Sequence, residues 1–321
     1  MNKAPDYHLR PHKAVDRNLF CQIIRKLSSV HAITDYRYIG FGSYEFDDFK
    51  LMHRQFGLKD MHSIEMNEEL FKRQEFNKPY SCIRLFKKTC SEYIDEDFDS
   101  NINSIVWLDF SSANEKQSQI DDFSNLISKV HEYDIIRITL NARAACLGFE
   151  GITNSEEREK QRLIKLKEML SDYLPSDIKT EDVQTRNYPF LLLRVVRKAI
   201  YDNLDPSLMA CPISNYLYSD GQQMLTITML ILPISEKEVC LKKLNDCFKD
   251  WDGFVKIDSW ESINSIELPP LTVHEQLELS QIEDSETCIG EASEKMGIKV
   301  EEIKQFLKFI RFYPNYQPVV I

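Results

Sequence analysis

The chain has 321 residues, 43% of them hydrophobic and 11% aromatic, enough for one large domain with a full core or for a large domain and a small one. Its net charge of −11 is spread without a long like-charge block, so the chain repels phosphate backbones globally and non-specific nucleic-acid binding is disfavoured. Eight cysteines occur with no C-x-x-C spacing and no histidine cluster beside them, which argues against zinc, iron–sulfur clusters or any other bound metal.

Residues 1–13 are polar, read as extended, and carry no signal-peptide pattern. The longest apolar run, 225–234, is too short to span a bilayer. The expectation is a cytoplasmic protein with reduced thiols and no membrane partner. Val15, Leu19, Ile23, Ile24 and Leu27 recur at helical spacing and predict a helix over 14–28. Arg10, Lys13, Asp16 and Arg17 crowd charge around its start. They form either a solvated arm or an arm that folds over a ligand cleft and lends it a cation.

Residues 36–41 are aromatic and β-branched, as a buried strand requires. Gly40 and Gly42 follow, read as giving the turn freedom in φ and letting a ligand approach the backbone. Phe46, Phe49, Met52, His53 and Phe56 then share one face of a helix over 45–56, which Gly57 ends. A strand, a glycine turn and a helix in that order are how a Rossmann-like sheet receives a nucleoside.

A second strand over 61–65 ends on Glu65, 23 residues after Gly42. That is near the offset of about 20 at which an acid meets ribose hydroxyls in nucleoside-binding sheets. Asn67 caps a helix over 67–76, with Glu68 and Glu69 in its first turn. Asn77-Lys78-Pro79-Tyr80 stops that helix or lines the cleft. Strands follow over 81–86, 104–109 and 134–141, with a helix marked by Ile120, Phe123, Ile127 and Val130. Five strands alternating with helices predict a parallel sheet with right-handed crossovers. Asp109 closes the fourth strand, either at the ligand edge of the sheet or as a helix N-cap. His53 and His62 have no identifiable partners and read as structural.

Residues 143–222 read as a helical insert, with helices over 156–174 and 190–204. Strands over 223–232 and 254–268 would close the sheet with a late antiparallel pair. Pro269-Pro270 reads as a linker, and Thr272-Val273-His274-Glu275 as a capping box. Helices over 286–296 and 300–312, separated by Gly297, suggest a helix-turn-helix-like module. Glu301 and Glu302 would face phosphates badly, so packing or partner docking is favoured over DNA reading. The expected organisation is an N-terminal arm and helix (1–30), an α/β Rossmann-like, doubly wound domain (31–268) carrying the helical insert, and a C-terminal helical module (269–321).

Tyr38-Ile39-Gly40-Phe41-Gly42-Ser43, Asp48-Phe49-Lys50, Ser63-Ile64-Glu65, Phe76 to Tyr80 and Trp107-Leu108-Asp109-Phe110 together resemble class I S-adenosylmethionine-dependent methyltransferases, and more narrowly bacterial proteins labelled O-methyltransferases. The likeness covers roughly 8–142, and the tail from 268 is similar to a small helical module in some of those proteins. It implies S-adenosylmethionine as cofactor. Gly40 and Gly42 would lie against its methionine and ribose, Ser43 would add a hydrogen bond, and Glu65 would hold the ribose hydroxyls. Asp109 and Phe110 would sit at the mouth of the cleft, with Asp109 the candidate catalytic residue.

The sequence departs from the pattern at Tyr38, where an acid is usual, at Tyr44, where a third glycine is usual, and at Lys87-Lys88 after the third strand. These departures point to an altered cofactor site. They leave a second reading beside the enzyme: a degenerate scaffold in a multi-protein system such as antiviral (phage) defence. The methyl acceptor, small molecule or protein, is unspecified, and a protein partner would dock on 269–321 or on the insert.

Overall fold

The computed structural model describes residues 10–149, 151–251 and 253–313. Residues 1–9, assigned above to an extended arm, lie outside that range.

Two central strands are buried on both faces, one an apolar run and the other carrying buried polar residues among its apolar ones. These are β4 (Ser104–Asp109) and β5 (Ile135–Asn141). They lie inside an eight-stranded sheet with β1 (Arg37–Gly40), β2 (Asp60–Ile64), β3 (Ile83–Phe86), β6 (Leu208–Ser219), β7 (Gln223–Pro233) and β8 (Asn264–Ser265). The order is β3-β2-β1-β4-β5-β7-β6-β8. β1 to β5 pair in parallel, and β7 runs antiparallel to β5. Only three residues join β6 to β7, a span that permits a hairpin but no crossover.

Chain order reverses between β1 and β4. The crossover from β1 carries α2 (Asp47–Phe56) and leads to β2, and α3 (Glu68–Asn77) leads on to β3. The return to β4 carries α4 (Cys90–Glu96), and α5 (Lys116–Ile127) links β4 to β5. Ile39, Val106, Ile136 and Ile138 of the sheet pack in one core with Phe123 and Leu126 of α5. Leu166 and Leu170 of α6 (Ser155–Leu170) and Leu191, Leu192, Leu193, Val195 and Val196 of α7 (Tyr188–Asn203) belong to the same core.

Several sequence expectations change. The first helix, α1, spans Pro11–Leu27, so 11–13 are helical rather than extended. Lys13 and Asp16 are buried in it, which removes them from a solvated arm. The stretch 143–222 is not helical throughout, because it contains β6. Pro212, Ser214 and Asn215 interrupt that strand's pattern. Proline is tolerated there because β6 has a long strand on one side only, β8 being two residues. The late pair is therefore β6 and β7, and 254–268 contributes only β8. The ring of Phe254 lies 5.6 Å from Trp251 instead, next to α8 (Lys237–Phe248). Both α4 and α8 escaped the sequence reading, although Thr89 and Glu92 form a capping box at α4.

Compactness divides the chain into two units, one of Ile23–Leu217 with Gln222–Asn264, the other of residues to Gln22, Tyr218–Gly221 and Ser265 onward. In the second, α9 (Val273–Leu279), α10 (Glu286–Met296) and α11 (Val300–Phe309) surround Leu279, Ile289, Ile303 and Phe306. Asp220 caps α1 within that unit, accepting the Lys13 backbone N–H at 2.8 Å and bonding His12 Nδ1 at 2.8 Å. No helix among the described residues is long and apolar enough to cross a membrane.

One buried polar bond ties β4 to β5: the Trp107 indole N–H donates to Thr139 Oγ1 at 2.9 Å. Thr139→Val keeps the shape and removes that acceptor. We expect a loss of about 1–3 kcal/mol in urea unfolding, with unchanged far-UV circular dichroism.

Candidate functional site

Open α/β sheets hold ligands outside the carboxyl ends of their strands, where the strand order reverses. Here that place lies between β1 and β4. Gly40, the last residue of β1, is in register with Ser63 of β2 and Trp107 of β4. Glu65 therefore projects from the same edge two residues beyond Ser63, and Asp109 two residues beyond Trp107. The rings of Phe41 and Phe110 meet 5.4 Å apart as the chain leaves the two strands. Gly40, Gly42, Ser43, Glu65, Asp109 and Phe110 are thus gathered along one edge.

The glycines answer to packing. A Cβ on Gly42 would lie 2.5 Å from Ser63 Oγ and 2.8 Å from the Phe46 ring. A Cβ on Gly40 would lie 3.2 Å from the Tyr38 hydroxyl. Neither glycine has a positive φ, contrary to the expectation of φ freedom. The left-handed residues are Ser43 (φ 49°) and Phe46 (φ 54°). Phe46 pays for that strained backbone with a fully buried ring and an N–H bonded to Gly42 O at 2.9 Å. Beneath the turn, the Gly42 N–H donates to Ser63 Oγ at 3.2 Å. The Ser63 hydroxyl donates in turn to Gln74 Oε1 at 3.1 Å.

Glu65 is half-buried, and its backbone N–H extends the pairing to Phe86 O at 3.0 Å. Burial raises its pKa, while backbone N–H groups of Asn67 and Met66 pull it back down. Its Oε1 accepts the Asn67 N–H at 2.8 Å. The Asn67 side chain also caps α3, taking the N–H groups of Glu69 and Leu70 at 3.0 Å.

The three departures resolve individually. Tyr38 is a core residue, 1% exposed and edge-on to Phe49 at 4.9 Å. Tyr44 lies under the Arg73 guanidinium, 3.5 Å from its ring centroid. Lys87 pairs with Glu68, and Lys88 with Glu96 at 2.8 Å and with Asp97.

Tyr80 packs against His53, with ring centroids 4.3 Å apart, and precedes β3, at the opposite end of the sheet, so it does not line this edge. His62 has partners that spacing alone does not reveal. Its Nδ1 meets the Tyr93 hydroxyl at 2.5 Å and its Nε2 meets Asp60 at 3.1 Å. Burial, followed by the charges of Arg37 and Arg84, lowers its pKa to about 4.

A second group near this edge gave no sequence signal. Lys116, the first residue of α5, is 1% exposed and donates to Asn141 O at the end of β5, at 2.6 Å. Burial lowers its pKa to about 8, against an opposing pull from Cys146. Cys146 also acts on Tyr188, a fully buried residue whose hydroxyl pKa is raised chiefly by burial and whose oxygen has no hydrogen-bond partner among the described residues. A lysine after Glu115 reads in sequence as a solvated first-turn residue, so nothing marked it.

The site's donor set fits a nucleoside: a half-buried carboxylate beside a tight glycine turn, with an aromatic pair alongside. Strand order and site together define a class I methyltransferase-like fold. Over residues 5–321 the chain matches the family described as "Putative O-methyltransferase", and it belongs to that family. No curated protein matches it. Among solved structures it is similar to the N-methyltransferase NodS from Bradyrhizobium japonicum WM9, at 10% identity and TM-score 0.39, covering 68% of this chain and 97% of that one. It is also similar to the O-methyltransferase TomG from Streptomyces achromogenes, at 8% identity and TM-score 0.38, covering 67% and 79%.

Gly42→Ala forces its new methyl group into Ser63 and Phe46. We expect a loss of about 1–3 kcal/mol in chemical denaturation. Lys116 sets a pH dependence. From about pH 8 up to the ordinary lysine value of about 10.4, the unfolded chain binds more protons than the native one. Wild-type stability relative to Lys116→Met should therefore rise across that window, by up to about 3 kcal/mol at 1.36 kcal/mol per unit, and stay constant below it. Urea midpoints measured from pH 7 to 10.5 check this.

Proposed function

We propose that the protein is an S-adenosylmethionine-dependent methyltransferase of unspecified acceptor. One observation carries the reading. The ends of β1, β2 and β4 bring the glycine turn, Glu65 and the Asp109–Phe110 pair to one edge at the strand-order reversal, in a chain of this family. Glu65, held by backbone N–H groups, has the acceptor chemistry for two vicinal ribose hydroxyls. The backbone from Gly40 to Ser43 would run along the methionine and ribose. Phe41 and Phe110 would supply an apolar wall, and Asp109 would stand at the mouth. The cofactor brings an already activated methyl group. The chain's task is then to orient the reactants and exclude water, and no nucleophilic side chain is required of it.

Calorimetric titration of S-adenosylmethionine into the protein tests this. We expect micromolar-range binding that Glu65→Ala weakens about 10- to 100-fold, the range for hydrogen bonds to a charged group. Because burial raises the Glu65 pKa, affinity should fall on acidification at a higher pH than an ordinary carboxylate would give. No heat and no thermal shift at millimolar ligand would overturn the reading.

A further inference from the structure

The glycine turn and Glu65 are both held by one helix, α3. Its N-cap residue, Asn67, gives its backbone N–H to Glu65 and its side chain to the helix. Six and seven residues on, Arg73 and Gln74 reach the turn by different routes. Arg73 covers the Tyr44 ring at 3.5 Å. Gln74 takes the Ser63 hydroxyl, which in turn holds the Gly42 N–H. Consecutive helical residues point about 100° apart, so the two side chains grip the turn at two separate points.

The Gln74 position is informative. It is fully buried, yet its amide nitrogen has no hydrogen-bond partner among the described residues. A leucine or methionine would fill such a place without stranding a donor, and buried unsatisfied groups are rare enough to require a reason. The bond from Ser63 to Oε1 supplies one. Tyr44 has a similar logic. A bulky ring where a third glycine is usual becomes compatible with a ligand once a cation draws it toward α3.

We propose that α3 is the positioning element of the nucleoside pocket, with Arg73 and Gln74 as positioning residues. They set ligand affinity by holding Tyr44 and the Ser63–Gly42 pair, without touching the ligand. This rests on the nucleoside reading given above. Under it, the turn and the ribose acid keep their mutual distance because both are fixed to one rigid helix.

The test is calorimetry with S-adenosylmethionine on a set of variants, alongside unfolding midpoints without ligand. Arg73→Ala should weaken binding about two- to fivefold, and Arg73→Lys should restore part of the loss. Gln74→Leu should weaken it about two- to tenfold. In a Tyr44→Ala background, Arg73→Ala should have no further effect, and in Ser63→Ala, Gln74→Leu should have none, because each pair acts as one unit. Hydrogen exchange at the amides of 42–46 should rise in Arg73→Ala without ligand, while α3 keeps its protection.

Singles that bind as tightly as wild type, or doubles that simply add, would overturn the proposal while leaving the nucleoside site standing. Losses of affinity that track losses of stability across the set would overturn it too. A wild-type protein that binds no S-adenosylmethionine would instead remove the nucleoside reading, and this inference with it. Arg73 is exposed, so its variants fold whatever becomes of the buried Gln74.

Discussion

How closely the Gly42 backbone approaches Ser63 governs the candidate site. A methyl group there has no room, and the amide it would crowd is already bonded to the serine hydroxyl. That contact draws the turn from β1 toward β2 and so toward Glu65. Close packing makes the arrangement discrete, since a turn wedged between a hydroxyl and a phenylalanine ring has no neighbouring position to relax into. The left-handed residues at 43 and 46 follow from the same constraint. The chain must bend sharply between the strand end and α2, and the glycines are placed for closeness, so other residues take the unfavourable torsions.

Two kinds of buried polar group flank this edge. Around the turn, the Gly42 N–H leads to the Ser63 hydroxyl and that hydroxyl to Gln74 Oε1, where the run ends. At Lys116 a cation donates to a backbone carbonyl, and burial has weakened its hold on the proton. The first arrangement fixes geometry. The second stores electrostatic cost beside the ends of β4 and β5, and it makes the native state sensitive to alkaline pH.

The parallel half of the sheet was legible because its strands are strongly apolar: Ile105 to Leu108 is an unbroken run, and Ile135, Ile136, Ile138 and Leu140 mark β5 around the buried Arg137 and Thr139. β6 was not, because Pro212, Ser214 and Asn215 break its pattern at a place where one flank of the strand is nearly open. The site residues could be placed from strand ends and spacing, but not their reasons. The glycines were read for torsional freedom and serve closeness instead. Tyr44 looked obstructive because sequence cannot say to which side a ring turns, and Arg73 decides that from another helix. Gln74 and Lys116 were invisible for a common reason: polar residues on amphipathic helices default to solvent, and only packing shows which one faces inward.

The outer hairpin has a consequence for the order of assembly. β6 and β7 can meet locally, but β7 must still dock on β5, and Arg137 bonds Thr228 across a separation of 91 residues. The pairing of β2 with β3 joins Met61 to Ile83, only 22 residues apart. Closing the longer loop costs roughly 1.2 kcal/mol more, at about 0.6 per doubling of length. The seam that closes over the greatest span is also the one that strips water from a guanidinium, since Arg137 is fully buried there. Two unfavourable terms thus fall on one docking step. At the edge that carries the glycine turn the longest pairing, Gly40 with Trp107, spans 67 residues, so every strand contact there closes a shorter loop than the β5–β7 seam does.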